Sequence, residues 1–172
     1  MRNAWLADHV PGFSDLTIEE IETISEFVLL WGYFEAQLLN CRGSASAIDD
    51  LIKRLTVETI PHDNWFLTEL DYMKNRYFLD GEPTHHFAHL RLRKNDYPDL
   101  VELVLSGQNR PCQDQILTLL IVVLRFRNNL FHGIKWEYRL AGQLGNFQVA
   151  NSILRKVLTW AGKAGNTPKS MD

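Results

Sequence analysis

The chain has 172 residues, 45% of them apolar and 23% charged, and a net charge of −3. That length suits one domain with a sizeable core, and the composition is that of an ordinary globular protein. The acidic balance excludes a protein that coats nucleic acid non-specifically, so any contact with phosphate must come from a local basic patch.

Two cysteines, Cys41 and Cys112, give neither a metal spacing nor a disulfide framework, which fits a reducing cytoplasm. The segment MRNAWLADHVPG lacks the apolar core of a signal peptide. The longest apolar stretch, Ile116 to Leu124, interrupted only by Thr118, is nine residues, well short of the ~20 that span a bilayer. The expectation is a cytoplasmic protein with no membrane partner.

In chain order, residues 1–15 read as an arm with a turn at Pro11-Gly12. Thr17-Ile18-Glu19-Glu20 is a capping box: the threonine oxygen takes a free N–H and Glu20 reaches back. A long helix is expected from Thr17 to about Leu39, with Ile21, Ile24, Val28, Trp31, Phe34 (or Glu35) and Leu38 at helical spacing. A second helix follows near Ser46 to Thr59, with Ile48, Leu51, Ile52 and Leu55 on one face. A third begins near His62 or Asp63 and carries Trp65, Phe66, Leu70, Met73 and Tyr77. Asp80-Gly81-Glu82-Pro83 is a turn, and Thr84 to Asn95 reads as a helix or irregular segment rich in His and Arg. Pro98 suits the first turn of a short helix to Leu105.

The central helix is expected near Pro111 to Phe131, with Gly133 in its C-terminal turn and a linker from Lys135 to Gly145. A last helix covers about Asn146 to Ala161, with Val149, Ile153, Val157 and Trp160 or Leu158 inward. No strand is expected. The fold is read as all-α, an up-and-down helical bundle with additional short helices, in a single domain over 16–162 followed by a flexible tail over 163–172.

Arg125-Phe126-Arg127-Asn128-Asn129-Leu130-Phe131-His132-Gly133 breaks the apolar helix with two arginines, two asparagines and a histidine. Hydrophobic burial does not account for that, since arginine is rarely buried without a partner. A cation and a titratable imidazole together suit a phosphate: the arginine clamps it and the histidine moves a proton. Helical geometry puts Arg127 on the core stripe of Ile116, Leu120, Val123 and Leu130, about 140° from His132 if the helix stays unbroken. Either Arg127 is paired inside the bundle or that face meets a second subunit around a ligand.

Arg127-Asn128-Asn129-Leu130-Phe131-His132 resembles the R-x4-6-H signature of the HEPN superfamily, in the form with Asn after the arginine. The apolar helix before it, the helix after it and an early helix carrying an acidic residue, here Glu35, are similar too. The resemblance covers roughly Asp15 to Ala161 and implies a HEPN-like bundle with metal-independent endoribonuclease activity and no cofactor. It further implies a homodimer whose two motifs share one cleft, with RNA as substrate. Carried onto this chain, His132 would be general base or acid for attack of the ribose 2′-OH on its own phosphate. Arg127 would stabilise the transition state, and Asn128 would orient His132 or the phosphate. Arg125, Asn129, Lys135 and Arg139 are the candidate RNA and phosphate contacts, and Glu35 a supporting residue. The setting implied is toxin–antitoxin or phage defence, with an antitoxin or defence-system protein as partner. Ile134 stands where toxins paired with a nucleotidyltransferase antitoxin often carry tyrosine.

Other readings accompany this one. Arg127 could form a buried salt bridge with Glu35 or another carboxylate, with Asn128 and His132 capping the helix. The chain could also be a non-catalytic helical module that binds nucleotide, RNA or a protein partner, or the regulatory half of a pair. His85 and His89 share a helical face without a third ligand, so no metal is expected. His89, Arg91, Arg93 and Lys94 form a basic patch that, with Lys135, Arg139, Arg155 and Lys156, suits a phosphate backbone or a solvated face.

Overall fold

Thr17 opens the first long helix as a capping box should. Its Oγ1 accepts the Glu20 amide at 3.1 Å, and Glu20 Oε2 accepts the Thr17 amide at 2.8 Å. The computed structural model describes residues 4–58, 61, 64–131 and 142–164. Its helices are α1 (Ala4–His9), α2 (Ile18–Leu38), α3 (Ala45–Glu58), α4 (Leu67–Tyr77), α5 (His85–Ala88), α6 (Pro98–Leu105), α7 (Cys112–Phe131) and α8 (Leu144–Lys163). The fold is all-α, as expected.

Centrally placed α7 is covered by α3, α4, α6 and α8, while α2 lies along α8. Every residue from Ile116 to Phe126 is buried. Ile121, Val122 and Val123 are indifferent helix formers, so packing rather than propensity holds this segment helical. Phe27, Phe126 and Phe147 join three helices at one point. The Phe27 and Phe147 ring centroids are 5.0 Å apart and those of Phe126 and Phe147 are 6.3 Å apart. Burying each such ring contributes about 1.5–3 kcal/mol.

The expected faces are met closely in α3, where Ile48, Leu51, Ile52 and Leu55 are all buried. In α2 the buried stripe is Phe27, Trp31, Phe34 and Leu38. Val28, expected inward, is exposed, because Phe27 takes the position that closes on Phe147. Helix α4 starts at Leu67, later than expected; residues 62 and 63 lie outside the described set. Residues 1–15 are more than an arm: they hold α1 and a 3-10 turn, Phe13–Asp15, whose Phe13 joins the core. At the other end α8 runs past Ala161 to Lys163.

The absence of strands is corrected in one small place. Phe78–Leu79 and Glu82–Pro83 pair antiparallel, Phe78 opposite Pro83 and Leu79 opposite Glu82. Asp80 and Gly81 between them have φ of 52° and 83°, the two positive values that a two-residue hairpin turn requires. Among the described residues no helix is long and apolar enough to cross a membrane.

Candidate functional site

Helix α2 ends in a way that builds one wall of the site. Asn40 and Cys41 both take left-handed backbone, φ 51° and 58°, and the Leu39 and Cys41 amides close onto the Glu35 carbonyl at 3.2 and 3.0 Å. The chain reverses, and the Gly43 amide points back at Glu35, donating to Oε1 at 2.9 Å. Trp31 Nε1 donates to the other carboxylate oxygen at 2.6 Å. Both oxygens of Glu35 are thereby fixed before any cation is met.

That cation is Arg127. Its Nη2 stands 3.5 Å from Glu35 Oε2, and its Nη1 donates to Asn128 Oδ1 at 3.1 Å. Its guanidinium carbon lies 5.4 Å from the centroid of the Phe131 ring, within cation–π range. The Arg127 side chain is 30% exposed, and among the described residues its Nε has no hydrogen-bond partner. The structure thus brings Arg127, Asn128 and Glu35 together, with the buried Nε left unsatisfied. The ion pair of the purely structural reading is present, yet it occupies only one edge of the guanidinium. His132, Lys135 and Arg139 lie outside the described residues, as do Gly133 and Ile134.

Arg125 and Asn129 face the other way. They sit one helical turn apart, and Arg127 between them is rotated about 160–200° to the opposite flank of α7. Arg125 is 3% exposed; its Nε donates to the Leu90 carbonyl at 3.0 Å and its Nη1 lies 3.4 Å from Asp96 Oδ2. Asn129 Nδ2 donates to the carbonyls of His89 and Leu90 at 3.1 and 3.5 Å. Burial first, and then the neighbouring Arg93 and Arg91 cations, pull the Arg125 pKa down, while Asp96 raises it. Both residues therefore move from the expected phosphate contacts to a structural role: they fasten the segment around Leu90 to α7. The expectation missed this because the acceptors are backbone carbonyls 35–40 residues away in sequence, which no local pattern reveals.

Two members of the expected basic surface are also engaged. Arg155 pairs with Glu26, and Lys156 Nζ lies 2.7 Å from Glu69 Oε1 and donates to the Trp65 carbonyl at 2.6 Å. Glu69, only 4% exposed, also accepts from Ser152 Oγ. The His85 and His89 rings are 6.0 Å apart, and among the described residues no three His, Cys, Asp or Glu side chains converge to hold a metal ion.

Beside the site a groove of about 330 Å³ runs between α2 and the end of α7, lined by Phe13, Ile21, Ile24, Val28, Leu130 and Phe131 among others. Comparison of the chain with protein-family models, with curated proteins and with solved structures gives no match.

Proposed function

We propose that the protein is a metal-independent endoribonuclease of HEPN type, acting in a reducing cytoplasm, with Arg127 and His132 as the catalytic pair. One observation carries the reading: an arginine side chain at the end of the most buried helix stays 30% exposed although its neighbours are packed, positioned by Glu35 and Asn128. The sequence R-N-N-L-F-H, with His132 five residues on, supplies the proton carrier. In this reaction the ribose 2′-OH attacks the adjacent phosphorus as His132 takes its proton. The P–O5′ bond breaks and the leaving oxygen takes that proton back from the His132 imidazolium, giving a 2′,3′-cyclic phosphate and a 5′-hydroxyl. Arg127 would stabilise the charge that builds on the phosphoryl oxygens. Asn128, bonded to Arg127 Nη1, would hold the fork in place, and Glu35 would set its orientation from α2.

A homodimer belongs to the same proposal. What supports it is the apolar groove beside Arg127, where Phe131 is 57% exposed and Val28 of α2 37%; exposed patches of this kind suit association. A toxin–antitoxin or phage-defence role, with an antitoxin or defence-system protein as partner, rests on the resemblance alone.

The Glu35–Arg127 pair favours a second reading, a non-catalytic module that binds RNA, nucleotide or a protein partner through the same surface. A carboxylate beside the cation weakens its pull on phosphate. The deciding experiment incubates cellular RNA with wild type and His132→Ala in excess EDTA and maps the product ends. Cleavage by wild type alone, with cyclic phosphate ends, supports the enzyme. Cleavage that survives in His132→Ala ends the proposed mechanism, and none by either protein turns the reading to the binding module.

A further inference from the structure

The segment fastened by Arg125 and Asn129 has a chemistry of its own. Between Glu82 and Asp96 the sequence holds no carboxylate but carries His85, His86, His89, Arg91, Arg93 and Lys94. Asp96 does not offset these cations at the surface. It is 6% exposed and turned inward, accepting the Arg93 amide at 2.8 Å and facing Arg125. Arg91, Arg93 and Lys94 are exposed, in a chain whose overall charge is negative. The neighbouring helix α3 contacts this loop and brings Lys53, which is paired at 2.8 Å with Asp49.

The loop is held in shape. Leu90 is a buried plug, and its carbonyl receives both Arg125 and Asn129. Left-handed residues stand at both ends, Arg91 with φ 53° and Tyr97 with φ 49°. Each costs a non-glycine residue about 1 kcal/mol or more, and Tyr97 precedes Pro98, where extended backbone is the rule. Such conformations persist only where the surroundings impose them, and here two buried α7 side chains and Asp96 do so. The result is a rigid row of cations ending in a tyrosine that is 36% exposed. Cations tracking a backbone with an aromatic platform at the end are the features that bind single strands.

We propose that the loop from Leu90 to Tyr97 is a binding strip for single-stranded RNA, with Arg91, Arg93 and Lys94 on phosphates and Tyr97 stacked against a base. The choice of RNA as occupant rests on the function proposed above. The strip and Arg127 lie on opposite flanks of α7, separated by more than one helix diameter of ~10–12 Å. A strand crossing the end of α7 would meet both.

The test uses the whole protein and a fluorescein-labelled single-stranded RNA of mixed sequence, with anisotropy read across a salt series. Arg93→Glu combined with Lys94→Glu should weaken binding about tenfold or more and lower the slope of log K against log salt by about one to two units. Tyr97→Ala should weaken it about fivefold or more, and Tyr97→Phe should not. Circular dichroism checks that each variant folds. Unchanged affinity in the charge-reversed protein overturns the proposal, as does a wild type that binds no RNA or binds only vesicles of anionic lipid. Cleavage in EDTA, read alongside, separates the two ideas. RNA held through the strip without cleavage keeps the strip and removes the ribonuclease; cleavage with unchanged KM in the strip variants does the reverse.

Discussion

Glu35 Oε2 lies 3.5 Å from Arg127 Nη2, and the same carboxylate receives Trp31 Nε1 at 2.6 Å and the Gly43 amide at 2.9 Å. One acid therefore joins α2, the reversal after it and the end of α7. Glutamine would leave a single acceptor oxygen for the two N–H donors. Glu35→Gln should cost about 1–3 kcal/mol in urea denaturation. The same variant should bind RNA more tightly, because nothing anionic then faces Arg127. Weaker binding at unchanged stability would show that Glu35 contacts the ligand rather than restrains the arginine.

The approach of Gly43 to Glu35 gives a paired prediction. A Cβ at Gly43 would fall 2.5 Å from Glu35 Oε1, whereas one at Gly32, on the outer face of α2, meets nothing within 4 Å. Gly43→Ala should destabilise by about 1–3 kcal/mol through overpacking. Gly32→Ala should stabilise by about 0.5–1 kcal/mol through helix propensity. Thermal melts of the two variants should move in opposite directions.

Removing Arg125 leaves Asp96 buried without its cation. Arg125→Met should cost about 3–5 kcal/mol. Adding Asp96→Asn should recover part of that loss, giving a coupling measurable by a double-mutant cycle. Additive losses would mean that the 3.4 Å contact contributes no coupling.

The alkaline limb of stability has an identifiable source. Burial raises the pKa of Tyr77 far above its ordinary value, and burial also raises that of Tyr72. Above about pH 10 the unfolded chain releases these protons while the folded chain keeps them, so the unfolded state binds fewer protons and stability falls as pH rises. The contribution is fully present below about pH 10. Tyr77→Phe should flatten this decline in urea midpoints measured from neutral to alkaline pH.

For the proposed chemistry, Arg127→Ala should lower cleavage about 100-fold or more. Arg127→Lys should fall between, keeping the charge but losing the planar fork. Rates from single-turnover assays with the RNA in the presence of EDTA decide this, and equal rates in all three proteins would remove Arg127 from the reaction.

Local signals were the legible ones. The Thr17–Glu20 capping box, Pro98 at the head of a short helix and the apolar run of α7 each follow from residues within a few positions of one another. The helical phase of α2 was less legible, because Phe27 and Val28 are both apolar and only α8, more than a hundred residues on, selects between them. The same limit applied to the motif. A helical wheel put Arg127 on the core side, and it does meet Glu35; but Arg125 is the more deeply buried, held by the Leu90 carbonyl and Asp96. Backbone carbonyls carry no side-chain signature, so a buried arginine that serves them looks like a ligand residue in sequence.

The pairing of α2 with α8 has a consequence for how the chain comes into being. Phe27 closes on Phe147 and Asn151 Nδ2 donates to the Thr23 carbonyl, both across more than a hundred residues. During synthesis from the N-terminus, α2 leaves the ribosome long before its cover exists. Phe27 stays without its Phe147 cover until α8 emerges, and contacts between such distant segments form slowly. A nascent chain stalled before Leu144 should therefore recruit a holdase chaperone through α2, and release it once α8 is complete.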